Sequence, residues 1–234
     1  MSNVLPKKNA QVPEEILPAE CQEFLRHFSV SYETRGKFER YAELLGEWNE
    51  KFNLVAASTI PHIWQRHFLD SAQLLKFIPT DAKMIADLGS GAGFPGLVLS
   101  IMGAPHVRLI ESIGKKANFL RTVIDELTLD AEVMQARIEE TDLKADVITA
   151  RALKPLPELL KLSKPLMKKD SLCLFLKGQQ LDVELTEAAK YWKFDSETIP
   201  SLSDSSGSIL IVRNLEFRAK GSVHGRSGKR RRRK

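Results

Sequence analysis

The chain has 234 residues, 43% of them hydrophobic, enough for one well-buried core or for a main domain with a small helical appendage. Its two cysteines, Cys21 and Cys173, lie far apart without ligand-like spacing, which argues against a disulfide framework and a zinc site. A reducing, cytoplasmic setting fits, and no metal is expected. The formal charge is +5, but residues 218–234 hold nine Lys and Arg and no acid. Without them, 26 basic residues face 30 acids, so the body is about −4.

Residues 1–19 contain Pro6, Pro13 and Pro18 with scattered charge and read as a flexible leader. Glu14, Glu15 and Glu20 and the lack of a long apolar stretch argue against a signal peptide or membrane span. Residues 20–78 read as a helical cap. Phe38, Tyr41, Leu45, Trp48 and Phe52 recur at steps of three and four, which places them on one helix face. A second helix is expected to begin near Pro61 and run through "HIWQRHFLDSAQLLKF".

From residue 79 to 217 the pattern becomes alternating strand and helix. "AKMIADLG", "VRLIE", "AEVMQA", "ADVITAR" and "SLCLFLKG" read as strands, with "GLVLSIM", "KKANFLRTVIDEL" and "LPELLKLSKPLMK" as intervening helices. "LDVELTEAAKYW" reads as a further helix, and "KFDSETIP" and "GSILIVRN" as two closing strands. Such alternation predicts an α/β fold with a mostly parallel sheet covered on both sides. The tail, 218–234, ends in "GSVHGRSGKRRRRK", which is too polar to build a core and suits a polyanionic partner such as RNA.

Four glycines, Gly89, Gly91, Gly93 and Gly96, crowd the first strand-to-helix turn, where open parallel sheets bind their ligands. Gly91-x-Gly93-x-x-Gly96, with Glu111 twenty residues on, literally matches a dinucleotide fingerprint. Two features argue against one. Asp87 ends the strand, where an acid suits a cationic amino group, and Pro95 removes a backbone N–H from the turn that would hold a pyrophosphate. S-adenosylmethionine fits better: it offers a ribose diol to Glu111, an amino-acid end to the turn, and a sulfonium that favours a negative pocket.

The ordered motifs "WNEKFNL", "RHFLDS", "DLGSGAGFPG", "FLR", "ARIEE", "ITARAL" and "LKG", from Phe38 to Asn214, resemble one family. It is the bacterial family of small-subunit ribosomal RNA 7-methylguanosine methyltransferases, also called glucose-inhibited division protein B. The resemblance implies a class I S-adenosylmethionine-dependent Rossmann-like fold with a seven-stranded sheet and a helical N-terminal cap. It also implies methylation of a guanine in the decoding region of 16S ribosomal RNA. By position, Gly89 and Phe94 match contacts to the methionine side, Ile138 and Glu139 match those around adenine, and Arg151 matches a residue near the transfer point. Glu111 stands where many members have aspartate.

The chemistry asks for little. Ring nitrogen seven of guanine has an in-plane lone pair and no proton, so positioning and electrostatics suffice without a general base. Arg151 or Arg137 is the expected donor to the guanine carbonyl oxygen. Arg66 and His67 face the same cleft or form a structural pair with Asp70. Cys173 lies in an apolar run and reads as core. Lys115, Lys116 and Arg121, with the tail, are candidates for phosphate contact on a 16S RNA or small-subunit particle. A monomer is expected. Two alternatives stand beside this reading: an NAD-dependent oxidoreductase and a non-catalytic RNA-binding protein.

Overall fold

The computed structural model describes residues 17–218. Two helices come first, α1 (Ala19–His27) and α2 (Tyr32–Phe52). α2 starts where the Ser31 hydroxyl accepts from Thr34 N at 3.1 Å, and ends at Asn53 in a left-handed conformation. Its apolar stripe behaves as its spacing predicts: Phe38, Tyr41 and Leu45 are fully buried, and Trp48 packs its ring 5.5 Å from Phe119.

The expected helix from Pro61 is broken. Ala57–His62 is a 3₁₀ segment with Pro61 inside it, Trp64–Leu69 is a π-helical segment, α3 is only Asp70–Ala72, and Leu75–Phe77 is again 3₁₀. The wider π turn lets this short stretch serve two neighbours. Phe68 packs 4.8 Å from Phe38, while the adjacent His67 stacks at 4.6 Å on Phe94 in the glycine turn.

Strands and helices then alternate: β1 (Ile85–Leu88), α4 (Gly96–Ile101), β2 (Val107–Ile110), α5 (Gly114–Leu127), β3 (Ala131–Met134) and β4 (Ala145–Arg151). α6 (Leu156–Ser163), β5 (Met167–Lys177), α7 (Leu181–Ala188), β6 (Trp192–Pro200) and β7 (Ser208–Phe217) follow. α6 is shorter than its sequence pattern suggests, because Pro165 falls in a 3₁₀ turn and Met167 already belongs to β5. "YW" likewise leaves α7, with Trp192 opening β6.

The sheet order is β3-β2-β1-β4-β5-β7-β6, parallel except for β7, which runs antiparallel between β5 and β6. Strand order reverses between β1 and β4, and this opens the ligand crevice at their carboxyl ends. Side chains of β1 alternate between two cores. Ile85 joins the cluster shared with α1, α2 and α5, whereas Ala86 and Leu88 join the one under α6 and α7. The first cluster is continuous from Phe24 and Phe38 to Val147 and Leu174 of the sheet.

Candidate functional site

The β1-to-α4 turn is built around missing side chains. Gly89 has φ +63, and a Cβ there would lie 2.5 Å from Leu153 Cδ1. At Gly96 an added Cβ would meet Leu109 Cδ2 at 2.3 Å and Asp87 Oδ2 at 2.8 Å, so α4 packs against β2 only because nothing intervenes. Gly91 and Gly93 complete the turn, and Tyr41 of α2 donates to Ala92 O at 2.5 Å.

Asp87 lies beneath this turn with no exposure. Its Oδ1 accepts from Thr149 Oγ1 at 2.7 Å and its Oδ2 from Gly96 N at 3.3 Å. Burial raises its pKa to about 6, against the opposing hydrogen bonds of Thr149, Ser90 and Gly96 and the charge of Arg151. Glu111, just past β2, ties the neighbouring strand tip to the turn. Its Oε2 accepts from Gly91 N at 2.9 Å and its Oε1 from Ile113 N at 2.8 Å.

Beside this pair of acids lies a cavity of about 380 Å³ lined by Gly89, Glu111, Ile113, Arg137, Ile138 and Leu153, with Glu139 and Lys116 at its wall. A nucleoside fits these residues. Glu111 keeps lone pairs for hydroxyl donors, Ile138 and Leu153 offer apolar faces to a base, and Gly89 leaves the backbone approachable.

A second cavity, about 520 Å³, shares Ala152, Leu153 and Lys154 with the first and has Arg151 on its wall. Arg151 is held from several sides: NH1 donates to Arg66 O at 3.1 Å and lies 3.3 Å from Asp70 Oδ2, and NH2 donates to His67 Nδ1 at 3.0 Å. Its guanidinium carbon sits 4.7 Å from the centre of the Phe94 ring. Burial, then the charges of Arg151 and Arg66, push the His67 pKa down to about 3. The neutral ring therefore accepts at Nδ1 and donates from Nε2 to Thr59 Oγ1 at 2.8 Å.

The sequence profile of the family described as rRNA small subunit methyltransferase G matches residues 34–210. The chain belongs to that family. The ribosomal RNA small subunit methyltransferase G of Paramagnetospirillum magneticum is 46% identical over 195 residues, covering 83% of this chain and 95% of that protein. The enzyme of the same name from Caulobacter sp. (strain K31) is 46% identical over 210 residues, covering 88% and 95%. A solved ribosomal protein L11 methylase from Lactobacillus delbrueckii subsp. bulgaricus superposes with a TM-score of 0.50 at 17% identity, over 61% of this chain and 75% of that one, a likeness of fold.

The methyltransferase G resemblance carried by the motifs is thus confirmed, as is the class I Rossmann-like, mostly parallel seven-stranded fold. The chain is an S-adenosylmethionine-dependent rRNA methyltransferase by family, and the matches favour neither the oxidoreductase nor the non-catalytic alternative. No helix among the described residues is long and apolar enough to cross a membrane.

The two candidate arginines line different cavities: Arg137 is exposed on the wall of the first, Arg151 half-buried on the second. Phe94 is 4% exposed, stacked between Tyr41 and His67 with the Arg151 guanidinium against its ring. The pairing of Arg66 and His67 with Asp70 gives way to a different arrangement. Arg66 pairs with Asp204 at 3.0 Å, His67 bonds Arg151 and Thr59, and Asp70 bonds Arg151, Gln73 and Ser203. Lys115 sits over the Phe52 ring, and Arg121 bonds Asn118 and Gln135. Cys173 is fully buried, its thiol pushed up to about 12, as a core residue would be. Of the basic tail only Arg218 lies among the described residues, bonded to Trp192 O. The expected leader likewise lies outside them except at 17–19.

Sequence reasoning misses Tyr41, Thr59, Gln73 and Ser203 as parts of this site. Gln73 and Ser203 join the segment around α3 to the β6–β7 loop, where Leu202 N donates to Gln73 Oε1 at 2.8 Å. No local pattern signals such contacts between segments more than a hundred residues apart.

Proposed function

We propose that this chain moves a methyl group from S-adenosylmethionine to ring nitrogen seven of a guanine in the decoding region of 16S ribosomal RNA. The observation that carries this reading is the pair of cavities sharing the Ala152–Leu153–Lys154 wall, with Arg151 anchored at the second. S-adenosylmethionine, when bound, supplies an electrophilic methyl on a sulfonium. Glu111 would accept from its ribose hydroxyls, Ile138 would cover the adenine face, and Glu139 would border that ring. Gly89, Gly91 and Gly93 shape the backbone that meets the methionine end, and Phe94 keeps that turn in place. Asp87, enclosed by Thr149 and Gly96, serves the amino-acid end by holding the turn that meets it.

Arg151 orients the base by donating to its carbonyl oxygen, while Arg137, on the other cavity, is left to the donor side. Asp70 offsets the Arg151 charge at 3.3 Å, and His67 stays neutral. Both keep further positive charge away from a cationic donor and a cationic product. The target base leaves its stack to reach the second cavity. Residues 20–78 act as a cap over this cleft, joined through Arg66, Asp70 and Gln73 to the β6–β7 loop. Lys115, Lys116, Arg121 and the tail 218–234 hold phosphates, and the enzyme works as a monomer in the cytoplasm.

The test is purified protein with S-adenosylmethionine and small-subunit particles, followed by mass spectrometry of the nucleosides. The expected product is 7-methylguanosine in a single decoding-region fragment. Methylation at another atom, or none on particles or naked RNA, would refute the assignment.

A further inference from the structure

The walls of the 520 Å³ cavity beyond Arg151 carry groups that the transfer chemistry does not use. Three carboxylates line it: Asp70, Asp204 and Glu184. Asp70 spends its oxygens on Arg151, Ser203 and Gln73, and Asp204 spends its own on Arg66 and Ser206. Glu184 of α7 accepts on Oε2 from Leu156 N at 2.7 Å, and Lys177 Nζ lies 2.5 Å from the same oxygen. Its Oε1 accepts no hydrogen bond from the described residues. The Lys177 side chain is 10% exposed and that of Glu184 21%, so the pair is largely withdrawn from solvent at the end of β5. Desolvated pairs add little net stability. This one instead sets a donor beside an acceptor on a cavity wall.

A guanine turned with nitrogen seven toward the methyl donor points its Watson–Crick edge away from that donor. The edge reads O6, N1–H, N2–H₂: one acceptor, then two donors. Adenine presents a donor, an acceptor and a C–H in the same places. An ammonium next to a carboxylate complements the first pattern and opposes the second. O6 has two lone pairs and accepts from Arg151 on one side and Lys177 on the other.

Resting on the methyl-transfer reading above, we propose that Lys177 and Glu184 select the base: Lys177 donates to O6, and Glu184 accepts from N1–H and N2–H₂ through its uncommitted oxygen.

Particles assembled on ribosomal RNA bearing guanosine or inosine at the methylated position test this with the full-length protein. Inosine keeps O6, N1–H and nitrogen seven and lacks only the N2 amino group. The wild type should prefer guanosine in kcat/KM by about tenfold or more. Glu184→Gln should lower the guanosine value and bring the ratio to within about threefold of one, with S-adenosylmethionine affinity unchanged. Lys177→Met should slow both substrates alike, because O6 is common to them. A wild type indifferent to the amino group overturns the inference without any variant. So does Glu184→Gln with its ratio intact, which would confine Glu184 to capping α6 at Leu156. A wild type that methylates no guanosine at nitrogen seven fails the underlying reading and takes this inference with it. One that methylates guanosine and inosine equally fails the inference alone.

Discussion

Arg151 is the point where the π-helical segment, the glycine turn and the second cavity meet, through His67, Phe94 and Asp70. Arg151→Ala should lower kcat on small-subunit particles by about 100-fold, the scale of losing one preorganised donor, and change S-adenosylmethionine affinity less than about threefold. Arg151→Lys should not restore it, because a single ammonium cannot serve His67, Asp70 and the base together. Steady-state kinetics with separate donor titrations would check both. The buried acid nearby gives a pH test. Asp87 rises from 3.8 to about 6, so the native state keeps a proton that the unfolded chain has lost. Its contribution to stability is fullest below about pH 4 and declines as pH rises to about 6. His67, lowered from 6.5 to about 3, does the reverse: its contribution is present above pH 6.5 and is lost as pH falls toward 3. Between about pH 4 and 6 the two oppose each other. Asp87→Asn should therefore make stability climb more steeply with pH across that window, as urea melts at several pH values would show.

At the scale of elements, α2 shapes the glycine turn. Tyr41→Phe leaves Ala92 O buried without its donor, at a cost of about 1–3 kcal/mol. Calorimetry should find a melting temperature several degrees lower and weaker donor binding. Gly96→Ala drives a methyl into Leu109 and Asp87 and should cost about 1–3 kcal/mol, read the same way. The central strands are legible because short apolar runs, such as 172–176 and 209–212, alternate with helical periods, and the turn because its glycines sit where a strand ends. The segment from Ala57 to Phe77 is not. Its turns change width to satisfy Phe38 on one side and Phe94 on the other, demands that come from distant chain and leave no local period. Tyr41 shows only half its role: periodicity announces its ring as packing, but nothing in the spacing reveals where its hydroxyl points.

For the whole molecule, charge is divided between an acidic body and a basic tail. Removing residues 219–234 should weaken RNA binding and flatten its salt dependence, by about 0.7–0.9 in log–log slope for each phosphate the tail neutralises, with donor affinity unchanged. Filter binding over a salt series measures this. The first cavity, the proposed donor site, is readable at Gly89, Glu111 and Ile138, which local motif order brings to one strand edge. The second cavity is less so, since Asp70, Lys177, Glu184 and Asp204 converge only once β5, α7 and the β6–β7 loop have folded together. The central claim is that the cavity between the two strand tips is the methyl-donor site. Isothermal titration with S-adenosylmethionine and with NAD, on the wild type and Glu111→Ala, tests it most directly. One saturable S-adenosylmethionine site, about tenfold or more weaker in the variant, with no heat from NAD, is the predicted result. No saturable uptake of S-adenosylmethionine, or equal binding of NAD, would contradict it.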